Sequence, residues 1–274
     1  MNKTKIDWCD STWNPVTGCF HGCEYCYARG IANRVRYRKG YEVNEDNVVF
    51  NFHLDGSPTI YELNNPCYYE PEDVVLGLES GEDCKRIKAP YPYGFEPTFH
   101  KYRLNDYIGK KGRNIFVCSM ADLFGAWVPD EWIEEVFKAC EKAPQHNYLF
   151  LTKNPGRYVE LINKGMLPGT DNMWYGYSAT HRKSTEWWNP MYNIFASVEP
   201  ILERMDAPRC KWCIIGAETG RRKDRIVPER AWIEEIVNKC REWNTPIFMK
   251  SSLADIWGEP LIQEFPVSIK VDPW

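Results

Sequence analysis

Along the second half of the chain, short apolar runs alternate with stretches whose apolar residues recur every three or four positions. The run 114–120, NIFVCSM, reads as a buried strand. The stretch 129–143, PDEWIEEVFKACEKA, opens on proline, carries acids early and lysines late, and places Trp132, Ile133, Val136, Phe137 and Cys140 at helical spacing. The pattern then recurs: a strand over 147–152, a helix over 156–165 ended by Gly165, strands over 173–180, 193–200 and 212–219, a helix over 229–243 and a last strand over 246–251. With the cysteine-bearing segment near residue 20 as a first strand and helix, five or six strand–helix alternations predict a parallel sheet with right-handed crossovers. A partial or full α/β barrel closes such a sheet, and residues at the strand C-termini then face one shared mouth.

Residues 39–93 behave differently. LDGSP, NNPCYYEPED, LESGEDC and APYPYG interrupt every period with proline, glycine and acids. This stretch reads as an irregular insertion after the first helix, within a single domain spanning 1–274. No internal repeat of 20–50 residues is visible.

Composition narrows the class. The chain has 274 residues, 43% apolar and 26% charged, an ordinary globular balance that leaves enough apolar surface to bury. Its apolar runs are far shorter than a membrane span, and MNKTKIDWCDSTW holds no apolar signal core, so the expected setting is cytoplasmic, with no membrane partner. Eleven cysteines in a reducing compartment point to metal binding or chemistry rather than to disulfides. The net charge of -4 argues against a broad surface for coating nucleic acid but leaves room for a local basic groove.

Three of the cysteines crowd into eight positions: Cys19, Cys23 and Cys26, spaced C-x3-C-x2-C within VTGCFHGCEYCYARG. Thiolates at this spacing hold iron or zinc. Structural zinc takes four ligands, often as two separated pairs, and here Cys9 or His21 would have to supply the fourth. A cubane [4Fe–4S] cluster also usually takes four cysteines, so three would leave one iron open, the mark of chemistry rather than of structure. Tyr25 places an aromatic immediately before the last cysteine.

Cys19-Phe-His-Gly-Cys23-Glu-Tyr25-Cys26 resembles the signature of the radical S-adenosylmethionine (SAM) superfamily, C-x3-C-x-aromatic-C. The wider context, TWNPVTGC and CYA followed by SMADLF, LTKNP, SVEP and IIGAETG, is similar to a phage-associated family within it. The resemblance covers residues 7–30 and roughly 95–251, and not the insertion. It implies a partial (β/α)6 TIM-like barrel with a [4Fe–4S] cluster on Cys19, Cys23 and Cys26 in the loop after the first strand. It further implies SAM bound to the fourth iron through its amino and carboxylate groups, reductive cleavage to methionine and a 5′-deoxyadenosyl radical, and hydrogen abstraction from a substrate. An external electron donor, flavodoxin- or ferredoxin-like, would reduce the cluster.

Polar residues at predicted strand ends are the site candidates. Ser119 and Asp122 stand past the strand at 114; in similar enzymes this region meets the SAM amino group, though the superfamily's glycine-rich GGE is absent here, and Asp122 equally suits a cap on the next helix. Ser178 would reach the ribose or carboxylate of SAM, or serve as an ordinary strand-end hydroxyl. Glu199, flanked by apolar residues and followed by proline, is a partly buried acid in need of a partner. Gly216 permits close backbone approach, and with Glu218 resembles the superfamily's glycine-bearing strand beside the adenine. Lys250 pairs with Glu199 or Glu218, or holds an anionic substrate or the SAM carboxylate. Trp13 and Asn14 of WNP brace the cysteine loop.

Basic runs lie at 28–40, 109–113 and 220–225. Such runs are usually solvated faces. Arg221, Arg222 and Arg225 overhanging the mouth would instead hold phosphates, and Trp187 and Trp188 would stack on bases, which makes a nucleic acid or nucleotide a candidate substrate. A peptide or small metabolite is the alternative, and a zinc-stabilised binding module without turnover the reading from another class. Cys210-x2-Cys213, with Cys67, Cys84 and Cys9, is the one set from which an auxiliary cluster would be built.

Overall fold

The computed structural model describes residues 4–36, 41–43, 48–51, 59–71, 87–220 and 222–269. In chain order its strands are β1 (Ser11–Trp13), β2 (Val16–Thr17), β3 (Tyr41–Val43), β4 (Val48–Asn51), β5 (Ile60–Leu63), β6 (Tyr68–Pro71), β7 (Ile87–Lys88), β8 (Thr98–His100), β9 (Asn114–Val117), β10 (Asn147–Thr152), β11 (Met173–Ser178), β12 (Asn193–Val198), β13 (Trp212–Ile215) and β14 (Ile247–Met249). The helices are α1 (Tyr27–Arg36), α2 (Asp130–Glu141), α3 (Gly156–Asn163), α4 (Arg230–Glu242) and the short α5 (Ala254–Trp257).

Seven strands pair in parallel in the order β1-β9-β10-β11-β12-β13-β14, so neighbours in space follow one another in the main sheet's chain order. The protein is thus mixed α/β, built on one large parallel sheet. The sheet curls. Phe116 on β9 and Trp212 on β13 both pack on Trp8, with ring centres 4.7 and 6.2 Å from it. In a flat sheet those two strands would lie four spacings, or ~19 Å, apart. The sheet stays open between β1 and β14, which do not pair, and the N-terminal segment spans that gap: Asp7 Oδ2 accepts a hydrogen bond from the Ser251 amide at 2.9 Å.

The two-residue period of each strand divides the core. Outward residues such as Ile115, Phe150, Tyr175, Val198 and Ile215 join α2, α3 and α4 in the larger apolar cluster. Inward residues, Phe116, Leu149, Trp174, Phe195, Trp212 and Phe248, meet Trp8 in a second one. Gly176 on β11 stands opposite Phe195 on β12, and a Cβ there would lie 2.2 Å from the Phe195 ring, so the glycine makes room for the aromatic.

The helices form where the period predicts them. α2 buries Trp132, Ile133, Val136, Phe137 and Cys140, with Asp130 and Glu131 in its first turn and Lys138 in its last. α3 ends as the glycine predicts: Gly165 takes φ +69°, its amide donates to Ile162 at 2.9 Å and that of Met166 to Leu161 at 2.8 Å. The strand–helix alternation lapses at two places, where the sequence also shows strands in succession. The connections from β11 to β12 and from β12 to β13 contain no helix. Pro190, Pro200 and Pro208 interrupt them, and buried side chains cover the sheet instead: Trp187 packs on Tyr158 and Tyr192, and Ile201, Met205 and Ala207 join the outer core.

The described parts of 39–93 are more regular than the sequence suggests. They contribute to two small sheets, β2-β8-β5-β4 and β3-β6-β7. Strands of two to four residues are too short to show a two-residue period, which is why this stretch reads as irregular. The first of these sheets flanks the cysteine loop, since β2 ends at Thr17, and α2 fastens it from outside: Trp132 Nε1 donates to Glu62 Oε1 at 2.6 Å. Among the described residues no helix is long and apolar enough to cross a membrane.

Trp8 touches rings from three different strands at the centre of the inner cluster. Trp8→Ala is therefore expected to destabilise the protein by about 3–5 kcal/mol, the usual cost of truncating a buried tryptophan, as read by denaturant unfolding. A loss below ~1 kcal/mol would mean that the curled interior is not packed in this way.

Candidate active site

The cysteine loop begins where β2 runs out. Gly18 takes φ +86°, and a Cβ on it would lie 2.2 Å from the Glu96 carbonyl oxygen, so only glycine fits. Its amide donates to Met120 O at 2.9 Å, and the Cys19 amide donates to Phe95 O at 3.0 Å. Gly22 turns the chain again at φ +71°, and Cys26 N donates to Cys23 O at 3.2 Å as the chain enters α1.

The side chains between the cysteines grip the sheet. His21 Nε2 meets Asp122 Oδ2 at 2.7 Å. Asp122, only 5% exposed, also accepts from the Lys153 amide at 2.9 Å and from the Phe124 amide at 3.0 Å. One carboxylate thus ties the loop to the ends of β9 and β10, and each of its oxygens already accepts at least one hydrogen bond. Tyr25 OH accepts from Lys153 Nζ at 3.0 Å. Asn14 braces from beneath: its Oδ1 accepts from Ser119 Oγ at 3.1 Å and from the Met120 amide at 3.0 Å.

What remains free in the loop is sulfur. Cys19, Cys23 and Cys26 are half-buried free thiols and line a single cavity of about 240 Å³ at the C-terminal end of the parallel sheet, several times the ~30 Å³ that one liquid water occupies. Burial pushes the Cys19 thiol up to about 12, with the nearby Asp122, Cys23 and Cys26 adding to the effect against the His21 amide. The Arg29 amide donates to Cys26 Sγ at 3.4 Å. Among the described residues, no three His, Cys, Asp or Glu side chains are arranged to hold a single metal ion.

The same cavity is lined by Tyr25, Ser119, Asp122, Ser178, Glu199, Glu218 and Lys250. The sheet brings them together by its period: Glu199 follows Phe195 and Ser197 along the inward face of β12, Glu218 follows Trp212 and Ile214 beyond β13, and Lys250 follows Phe248 on β14. Lys250 Nζ pairs with Glu199. Gly216 lies between them, where a Cβ would meet Lys250 Cδ at 3.1 Å and Glu199 Cγ at 3.3 Å, so this glycine serves the ion pair. Glu218 is held by both arms of Arg222, Nε and Nη2, at 2.8 Å each, and that fork lowers its carboxyl below the ordinary glutamate range. Arg222 Nη1 continues to Glu24 of the cysteine loop at 3.2 Å.

Three expectations are corrected. Arg222 is committed to Glu218 rather than free for phosphates, which overturns the expectation for that residue alone; Arg225 is exposed and donates to Gly220 O at 3.4 Å, and Arg221 lies outside the described residues. Trp187 is 7% exposed within the outer core and presents no open face, while Trp188 is half-buried and carries the Arg209 guanidinium 4.6 Å over its ring. The proposed five cysteines do not gather as one set: Cys213 meets Cys210, and also Cys240, in the outer core, while Cys9 lies in the inner core, Cys67 in a satellite cluster, and Cys84 outside the described residues.

Lys153 and Ser197 also line the cavity and were not singled out by the sequence reading. The signal was present: Leu149 and Leu151 face inward on β10, so the next alternate position, Lys153 in LTKNP, falls at the mouth.

Gly18→Ala is expected to lower stability by more than about 1 kcal/mol, because a backbone oxygen and a positive φ both oppose the new methyl, and to speed reaction of the three loop thiols with a thiol reagent. Unchanged melting together with unchanged thiol reactivity would show that the loop does not depend on this approach.

No curated protein and no solved structure matches the chain. The family model described as "Protein of unknown function (DUF5131)" matches residues 3–260, and the chain belongs to that family.

Proposed function

We propose that the protein is a radical SAM enzyme whose cluster is held by Cys19, Cys23 and Cys26. The observation that carries this reading is that the three thiols line one cavity at the C-terminal end of a curled parallel sheet, facing strand-end acids and lysines. The donor set suits an iron–sulfur cluster: three free cysteines within eight residues, one of them receiving an N–H···S bond of the kind that tunes such clusters. The ligand sulfurs of a cubane bind separate irons, so they need not converge on one point as the ligands of a single ion do. On this reading the sheet is the superfamily's partial barrel with β14 as an added strand. A cluster held by Cys19, Cys23 and Cys26 would, with SAM and an external electron, supply radical chemistry for hydrogen abstraction from the substrate.

The residues of the chain prepare the site for that chemistry. Asp122 positions the cysteine loop through His21. Glu199 and Lys250 offer an acceptor and a donor side by side at the cavity wall. Glu218 enters the cavity charged but neutralised by Arg222. Trp8 and Phe116 close the floor, excluding water from below. The reductant is an external flavodoxin- or ferredoxin-like protein. The substrate is a nucleotide or metabolite small enough to reach into the cavity, since Arg222 and Trp187, which a strand-binding groove would use, are occupied.

The test is anaerobic reconstitution with iron and sulfide, followed by SAM and dithionite, with 5′-deoxyadenosine as the readout. Product is expected from the wild-type chain, while Cys23→Ala should lose both the brown colour and the product. A fully loaded protein that yields none, or anaerobically purified protein holding one zinc per chain and no iron, would reject the reading.

A further inference from the structure

The charges facing the cavity are paired, with one exception. His21 meets Asp122 at 2.7 Å, Lys250 meets Glu199, and Glu218 meets Arg222 at 2.8 Å. Lys153 lines the same cavity, but its ammonium donates to the neutral phenol of Tyr25 at 3.0 Å and lies 5.1 Å from that ring's centre. Among the described residues no carboxylate forms an ion pair with it. An ammonium carries three N–H donors, so two remain for whatever fills the cavity.

Its neighbours are donors too. Lys153 follows β10, Ser178 ends β11 and Ser197 lies on β12, three adjacent strands of the sheet. Ser178 and Ser197 are register partners, and both line the cavity. A cation and two hydroxyls from neighbouring strands on one wall match a group with several acceptor oxygens and negative charge. A neutral or cationic group would leave the lysine charge uncompensated in a cavity that apolar Leu151 and Phe116 also line.

We propose that Lys153, with the hydroxyls of Ser178 and Ser197, forms an oxyanion subsite that takes a carboxylate or phosphate group of the ligand. The inference rests on the cavity being the ligand site of the proposed function and names the chemistry recognised there. Two sources carry that chemistry: the methionine carboxylate of SAM, or a phosphate on the substrate.

Calorimetric titration of the full chain, purified anaerobically, separates them. Inorganic phosphate, SAM and decarboxylated SAM are titrated into wild type, Lys153→Met and Lys153→Arg. The Met variant is expected to bind phosphate or SAM about 10-fold more weakly or worse, as loss of a charge-assisted hydrogen bond requires, while Arg restores most of the affinity. Weakened SAM binding with decarboxylated SAM unaffected assigns the subsite to the methionine carboxylate; weakened phosphate binding with SAM unaffected assigns it to the substrate. Equal affinity of the Met variant and wild type for both phosphate and SAM overturns the proposal, as does a wild-type chain that binds neither. Should the Met variant melt below the wild type, the Ser178→Ala/Ser197→Ala double variant carries the same comparison: weakened binding supports the subsite and unchanged binding overturns it. Absence of 5′-deoxyadenosine from a loaded protein that still binds phosphate through Lys153 rejects the radical reading and leaves the subsite standing.

Discussion

A curled parallel sheet has an inside, and every second residue of every strand must be accommodated there. That constraint governs this protein. In the lower part of the sheet the inward positions are Phe116, Trp174, Phe195, Trp212 and Phe248, gathered around Trp8; one step higher they become Ser178, Ser197, Glu199, Glu218 and Lys250. The aromatic layer makes the polar one possible. It gives the cavity an apolar floor, so charges above it are partly withdrawn from water, where an unpaired group is costly and a paired one is held in place. The fork of Arg222 on Glu218 and the contact of Lys250 with Glu199 answer that cost.

Glycine appears where the constraint leaves no volume. Gly176 yields to the Phe195 ring, and Gly216 lets Lys250 reach Glu199. The two glycines lie on the same inner surface, one serving packing and the other charge, for the same geometric reason: the inside of a tightly curled sheet cannot hold a side chain at every inward position.

Much of this was legible from residue order. The strand at 147–152 and the turn at Gly165 follow from apolar periodicity and from glycine's tolerance of positive φ, both local properties. Ser178, Glu199, Glu218 and Lys250 were found because strand ends in a parallel sheet share one mouth, a rule of topology that needs no contact map. The pairing of charges was not legible in the same way. Lys250 and Glu199 are 51 residues apart, and Lys153 reaches Tyr25 across 128. Which lysine keeps its charge unpaired depends on such distances. Arg222 is the instructive exception: it lies four residues from Glu218, close enough for the pair to be seen in sequence, yet the basic run around it masked the partner. The missing helices after β11 and β12 belong to the same class, because buried Trp187 covers the sheet only once the chain has folded back upon it.

The spacing C-x3-C-x2-C takes on a second meaning in the folded chain. The residues between the cysteines are the anchors. His21 holds Asp122 beyond β9, Tyr25 holds Lys153 beyond β10, and Glu24 holds Arg222 beyond β13. The three contacts are unequal: Asp122 is almost wholly buried and Glu24 is largely exposed, so the first fixes the loop and the last adds little. Together they fasten the loop to the sheet from three directions through side chains other than those of Cys19, Cys23 and Cys26. Small zinc domains use their thiols the other way, folding only when the metal gathers them. Here polar side chains do the gathering, and the three sulfurs are left facing the cavity rather than serving as staples.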